Sequence, residues 1–235
     1  MKIRFLVTSM LLSIIFLAQL CEENPTSSKN NTITDVDGNE YQIVKIGNQW
    51  WMAENLKVIH YRNGSEIPKV IDDTEWASLT TGAYCNYDND DNNAVSHGRI
   101  YNFYAVIDSR NIAISGWHIP SDEEWKELEV YIGMSWSEAN NNGWRGSGEG
   151  TKLKSINGWY NNGNGTDDYD FSIIPSGYRH YDGDYIGIGL FANIWSSTER
   201  DSQSASHRGF DWSQTGIGRG NSSKLRGFSV RLVKD

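Results

Sequence analysis

The sequence predicts an α+β domain, and three observations carry that expectation. Short β-branched and aromatic runs bounded by Gly, Asn and Asp stand near both ends of the chain. Two segments between them carry a helical apolar stripe. A long stretch, residues 133–170, shows neither period.

Taken in order, Asp35-Val36-Asp37-Gly38-Asn39 reads as a turn. The run 41–46 (YQIVKI) that follows has strand composition, and Gly47-Asn48 is a hairpin turn leading into 49–52 (QWWM). Residues 98–108 place apolar side chains at 100, 103, 104 and 107, which predicts a helix. A second helix is expected from Pro120-Ser121: Ser121 caps it, Glu124 reaches back, and Trp125, Leu128 and Ile132 face the core. Residues 133–170 are rich in Asn, Gly, Ser and Trp, with Leu153 and Ile156 as anchors, and are expected as a long irregular loop, functional or well packed. Short strands follow at 171–174, 189–196, 207–212 and 228–233. In the last, Phe228, Val230 and Leu232 alternate with Ser229, Arg231 and Val233.

The first residues bear on compartment. Lys2 and Arg4 precede an apolar run, 5–20, too short for a typical bilayer span, so residues 1–20 are expected to be a signal peptide. Cys21 ends that run and is the expected lipidation site, although Leu20 stands where a lipobox has a small residue. Residues 21–33 are polar and predict a flexible tether, leaving 34–235 as the folded domain. The formal charge of −9 becomes −11 when Lys2 and Arg4 go with the leader, and no basic stripe remains. Nucleic acid is therefore not an expected partner. With Cys21 lipidated, Cys85 is left as a single thiol, expected to be a small buried residue.

Several phrases at matching spacing resemble the Fibrobacter succinogenes major paralogous domain family. Among them are 46–57 (IGNQWWMAENLK), 84–87 (YCNY), 101–106 (YNFYAV), 116–125 (GWHIPSDEEW), 175–179 (PSGYR), 195–199 (WSSTE) and 227–231 (GFSVR). The resemblance spans roughly 34–235. It implies a C-type lectin-like fold, shared with formylglycine-generating enzymes, in which two helices and short antiparallel strands accompany a long loop region. In such a fold the first and last strands pair and the loop forms the binding edge. Family members commonly carry cysteines where this chain has Ala113 and Leu232. The resemblance thus implies that an apolar contact replaces a disulfide there.

Neither the paired cysteine chemistry of formylglycine-generating relatives nor a hydrolase, zincin or P-loop pattern occurs after residue 21. The five histidines show no ligand spacing, and His118 is expected to pack. Asp88-x-Asp90-x-Asn92 supplies oxygen ligands at alternate positions, so Asp88, Asp90 and Asn92 are candidate calcium ligands. Asn93 and Arg99 at its sixth and twelfth positions exclude an EF-hand. Ten Trp and twelve Tyr exceed what a core of this size needs. Trp144, Trp159, Tyr160, Tyr181, Tyr185 and Trp212 lie in Gly/Asn/Asp-rich segments and are candidate ligand-stacking residues, with Arg179 and Arg208 as donors. The expectation is a surface-exposed lipoprotein with a non-catalytic binding module for polysaccharide or a cell-envelope protein. A structural surface protein without a discrete ligand, or an enzyme on the formylglycine-generating-enzyme-like fold, are the alternatives.

Overall fold

The first hairpin forms where its turn chemistry puts it. Glu40–Ile46 pairs antiparallel with Gln49–Met52, Ile46 stands opposite Gln49, and Gly47 takes the positive φ (62°) the turn requires. Before it, Asp35 locks the turn at 35–39 by accepting from the Asp37 and Asn39 amides, and Tyr41 Oη donates to Asp35 Oδ2 at 2.6 Å.

The structure, a computed structural model, describes residues 31–235, which form one compact unit. In chain order the strands are β1 (Thr32–Thr34), β2 (Glu40–Ile46), β3 (Gln49–Met52), β4 (Tyr84–Cys85), β5 (Ile100–Asn102), β6 (Trp117–His118) and β7 (Gly143–Arg145). They continue as β8 (Ser176–Arg179), β9 (Tyr185–Ile188), β10 (Phe191–Glu199), β11 (Ser204–Asp211), β12 (Ile217–Ser223), β13 (Gly227–Phe228) and β14 (Val233–Lys234). The helices are α1 (Asp73–Ala77), α2 (Asp91–His97), α3 (Phe103–Val106), α4 (Asp122–Tyr131), α5 (Trp136–Ala139) and α6 (Glu149–Leu153). One sheet runs β1-β2-β3-β14-β6; the other runs β4-β5-β13-β8-β10-β11-β12-β7, with β9 beside β8. The last strand completes the first sheet: Val233 of β14 pairs with both Trp51 of β3 and His118 of β6, while the first strand, β1, stands at the edge beside β2. The architecture is α+β.

Helix α4 follows its sequence signals. Ser121 Oγ accepts from the Glu124 amide, and Glu124 Oε2 accepts from the Ser121 amide at 2.8 Å, a complete capping box. Trp125, Leu128 and Ile132 are buried, and the Trp125 ring packs on Trp51 (4.9 Å between centroids) and on Phe171 (6.1 Å).

Five expectations are corrected. The helix over 98–108 is instead β5 followed by the single turn α3. Ile100, Tyr101 and Asn102 are all buried, because β5 is covered on both faces, and Asn102 Oδ1 starts the helix by accepting from the Ala105 amide. The loop 133–170 is not irregular throughout: it holds α5, β7 and α6. The strand at 171–174 reduces to a single bridge, Lys154 to Ile173, and 228–233 divides between β13 and β14. The tether overlaps β1, which pairs with β2 through Thr32 and Gln42. Residues 1–30, with the signal-peptide and Cys21 expectations, lie outside the described residues.

Buried charge ties α4 to the second sheet. Glu129, fully buried, accepts from Arg145 Nη1 (2.7 Å) and Nη2 (2.8 Å) on β7 and from Arg208 Nε (2.5 Å) on β11. Arg208 Nη1 also donates to Asp122 Oδ1 at 2.7 Å, and Arg219 Nη2 of β12 donates to Asp122 Oδ2 at 2.6 Å. The arginines at Asp122 hold its carboxyl well below the usual range despite burial.

Ala113 and Leu232 are both buried in the same apolar cluster. If the family's cysteine positions correspond to these two, cysteine at both should oxidise to an intramolecular disulfide, which needs Cα atoms about 4.4–6.8 Å apart. Thiol titration of the folded double variant checks this; two persistent free thiols would refute the exchange.

Candidate functional site

The strongest candidate site lies on the outer face of the strands β10, β11, β12 and β7. Their registers place Asn193 opposite Gly209, Gly209 opposite Gly218, and Gly218 opposite Trp144. One step along the sheet, Phe191 faces Asp211 on one side and His207 faces Gly220 on the other. Side chains alternate along a strand, so Ile194, Phe210 and Ile217 on the opposite face enter the core, and Arg208 enters the buried charge network. Three glycines on the outer face leave the floor as bare peptide, and a cleft of about 300 Å³ opens there.

The walls supply the chemistry. Trp144, 48 % exposed, leans over the floor: a Cβ on Gly218 would come within 3.3 Å of Trp144 Cζ3 and 3.2 Å of the Gly209 carbonyl oxygen. Tyr178 and Phe191 form the facing wall, their rings 6.4 Å apart. The Arg226 guanidinium lies 5.6 Å above the Tyr178 ring and has no ion-pair partner among the described residues. Asn193 and Asp211 add polar groups, whereas the guanidinium of Arg219 is turned to Asp122 and the Asn140 carbonyl.

His207 sits over Gly220 with its Nδ1 buried and without a hydrogen-bond partner. Burial first, then the Arg208 and Arg226 charges, pushes its pKa down to about 4, so the ring is neutral near pH 7. The sign follows: between the ordinary value near 6.5 and 4, the unfolded imidazole takes up a proton that the folded one refuses. Stability present above pH 6.5 should fall across that window. Urea midpoints at pH 7, 5.5 and 4.5 should show the decline, and His207→Gln should flatten it.

The family model of the Fibrobacter succinogenes major domain matches residues 44–234, which include every residue of this cleft. The chain belongs to that family. No curated protein and no solved structure matches it.

Within this Fibrobacter succinogenes major domain the sequence-expected stacking residues do not converge. Trp144 lines the cleft. Tyr181, 47 % exposed, stands close to its Arg226 rim, with the guanidinium 6.0 Å from the ring. Tyr160 is exposed but packs edge-on against Trp212 at 5.3 Å, away from the cleft lining. Tyr185 is half-buried against Tyr87 and donates to Asn89 Oδ1.

Three candidates are corrected outright. Trp159 is buried, its Nε1 donating to Ser155 Oγ and the Ile173 carbonyl. Arg179 is fully buried and donates to the carbonyls of Gly183, Val70 and Ile71 and to Asp73 Oδ1. Arg208 is bound to Glu129 and Asp122. All three have their polar atoms committed within the domain, so they are not free to meet a ligand.

The candidate calcium ligands Asp88, Asp90 and Asn92 lie around the start of α2. Asp90 is the N-cap of α2, and its Oδ1 accepts from the Asn92 amide and Nδ2, while Asp88 stands in a left-handed turn (φ 51°). Among the described residues no group of three His, Cys, Asp or Glu side chains could hold a metal ion. His118, expected to pack, is part-exposed instead and bridges Glu124 and Asp235, each at 2.7 Å.

Sequence reasoning missed Tyr178, Asn193, Asp211 and Arg226. The available signal was the alternation Gly218-x-Gly220 beside Gly209, which removes side chains from one face of adjacent strands.

Proposed function

We propose that this protein is a non-catalytic binding module with a C-type lectin-like arrangement, displayed at the bacterial cell surface and tethered by lipid on Cys21, and that its ligand is a polysaccharide. The observation that carries the reading is the glycine-floored cleft beside the exposed Trp144. Glycines at the floor leave room for a flat ring to approach the strands closely. The indole supplies an apolar face for sugar C–H groups, and Asn193, Asp211 and Arg226 supply donors and acceptors for hydroxyls. Its volume lies at the lower end of ligand pockets, about 300–1,000 Å³. The pairing of β14 with β3, and the placement of Trp144 within the 133–170 segment, are what a lectin-like arrangement would use. The leader-like residues 1–20 and the acidic tether support export, and among the described residues no helix is long and apolar enough to cross a membrane.

A glycan array probed with the purified protein tests the ligand class, followed by titration of the best hit. Trp144→Ala should weaken that binding at least tenfold and leave the melting temperature nearly unchanged, because the ring is half-exposed. Trp159→Ala, by contrast, should cost about 3–5 kcal/mol of stability, as buried Trp truncations do. Undiminished affinity in a stable Trp144→Ala variant would remove the cleft from consideration.

A further inference from the structure

The chain carries a formal charge of −9, yet the surroundings of the glycine-floored cleft are cationic. Arg145, Lys154, Arg208, Arg219 and Arg226 stand in the cleft or against its strands, with the carboxylates of Asp122, Glu129 and Asp211 among them. All but one of these cations are committed. Arg145 and Arg208 share Glu129, and Arg208 and Arg219 share Asp122. Lys154 Nζ donates to the Asp211 and Gln214 carbonyls, both at 3.1 Å. Nearby, Lys126 pairs with Glu123, and Lys224 with Glu199. Arg226 differs. Among the described residues no carboxylate lies within ion-pairing reach of its guanidinium and no oxygen accepts from it. Its neighbours are the rings of Tyr178 and Tyr181, 5.6 and 6.0 Å away. Asp182, the residue after Tyr181, is held by His180 Nδ1 at 2.6 Å.

Arg226 is half-buried and lines the cleft, so a ligand there meets it, unlike the arginines beneath the sheet. The turn that presents it is tied at successive residues. The Lys224 carbonyl accepts from the Phe103 amide at 2.9 Å, and the Leu225 carbonyl from Trp76 Nε1 at 2.8 Å. The Arg226 amide donates to the Ser223 carbonyl at 2.9 Å, and Gly227 already belongs to β13. A donor whose backbone is held in advance loses less freedom when it takes up a ligand. The cleft is also polar along its length. The Arg226 charge acts on His207, whereas Asp211 stands four residues further along β11, about 13 Å at the rise of a strand. Asp211 Oδ1 there accepts from the Ser213 amide and hydroxyl. A cation at one end and a carboxylate at the other give a ligand a direction as well as a place.

We propose that the sugar recognised in this cleft is a uronic acid, its ring on Trp144 and its carboxylate on Arg226. The inference rests on the cleft being the polysaccharide-binding surface argued above. A carboxylate matches the forked guanidinium and brings the negative charge that Arg226 lacks. In a uronate that group is bonded directly to a ring carbon, so charge and apolar face arrive on one residue of the polymer. A cleft of about 300 Å³ takes both together. The negative charge of the whole chain does not oppose this, because at physiological salt fields are screened beyond roughly 8 Å. The cation at the contact decides, rather than distant acids.

Oligomers of polygalacturonate, alginate and hyaluronan are the probes, each titrated calorimetrically into the purified protein beside its carboxyl-reduced, neutral form. At least one should bind tenfold or more tighter than its reduced form. Arg226→Gln should remove that preference and leave the melting temperature nearly unchanged, since the side chain makes no ion pair. Arg226→Lys, which keeps the charge but not the fork, should restore part of it. Trp144→Ala should weaken the acidic and reduced forms alike. Equal affinity for the two forms, or a preference that survives Arg226→Gln, would overturn the uronate assignment and leave the polysaccharide reading standing. Dextran sulfate binding as tightly as the best uronate would overturn it too, by reducing the site to a general anion contact. If no acidic polymer binds, the assignment falls, and the neutral glycans of the array decide separately whether the cleft holds sugar.

Discussion

Glu129→Ala should come close to unfolding the protein. Glu129 is fully buried and receives three hydrogen bonds from Arg145 and Arg208. Without it two guanidinium groups face each other across a cavity, with only Asp122 and the Ala139 carbonyl nearby to compensate. Removing one partner of a buried ion pair costs about 3–5 kcal/mol, and here one carboxylate serves two cations. Domains of this kind have roughly 5–15 kcal/mol in total, so much of the stability goes with a single residue. Glu129→Gln should be nearly as damaging, since it keeps the volume but not the charge. Denaturant midpoints measure the loss; a fall below about 1 kcal/mol would mean the network contributes little.

The second large effect concerns binding and should spare the fold. Gly209→Val places a branched side chain on the cleft floor. A Cβ there would meet Asn193 Oδ1 at 3.4 Å and Trp144 Cη2 at 4.0 Å, ordinary contacts, and the backbone is not left-handed. Valine is a better strand former than glycine, so the melting temperature should hold or rise. Polysaccharide affinity, once a ligand is in hand, should fall roughly a hundredfold, about 2.7 kcal/mol, because the floor no longer admits a ring. Gly150→Ala is the informative contrast: its Cβ would stand 2.1 Å from the Gly216 carbonyl oxygen, so that variant should lose stability. Retained affinity in a stable Gly209→Val protein would place the binding surface elsewhere.

What the sequence reveals follows from how local each cause is. The hairpin at Gly47 and the capping box at Ser121 are decided by residues within a few positions, and both are readable in advance. The segment at 100–107 misleads because β5 is covered on both faces. A strand buried on both sides loses the period-two pattern, and the adjoining turn of α3 lends it a helical one. Arg179 and Arg208 read as candidate ligand donors because they stand in Gly-rich segments. Nothing nearby in sequence announces Asp73, Glu129 or Asp122 as their partners, which lie 79 to 106 positions away. The cleft depends on the same kind of long-range registration. Gly209 and Gly218 are each unremarkable alone, and only the pairing of β11 with β12 makes them a floor.

Because β14 lies between β3 and β6, the order in which the chain is made matters. As synthesis proceeds, β2 and β3 can form their hairpin at once, yet the place beside β3 stays vacant until Val233 exists. A sheet completed by a partner more than 180 positions away is costly to close early, and such topologies fold slowly. This sheet should therefore remain open while most of the polypeptide is being made. Cleavage just before Val233 should accordingly leave β3 and β6 unjoined, rather than trimming a dispensable end.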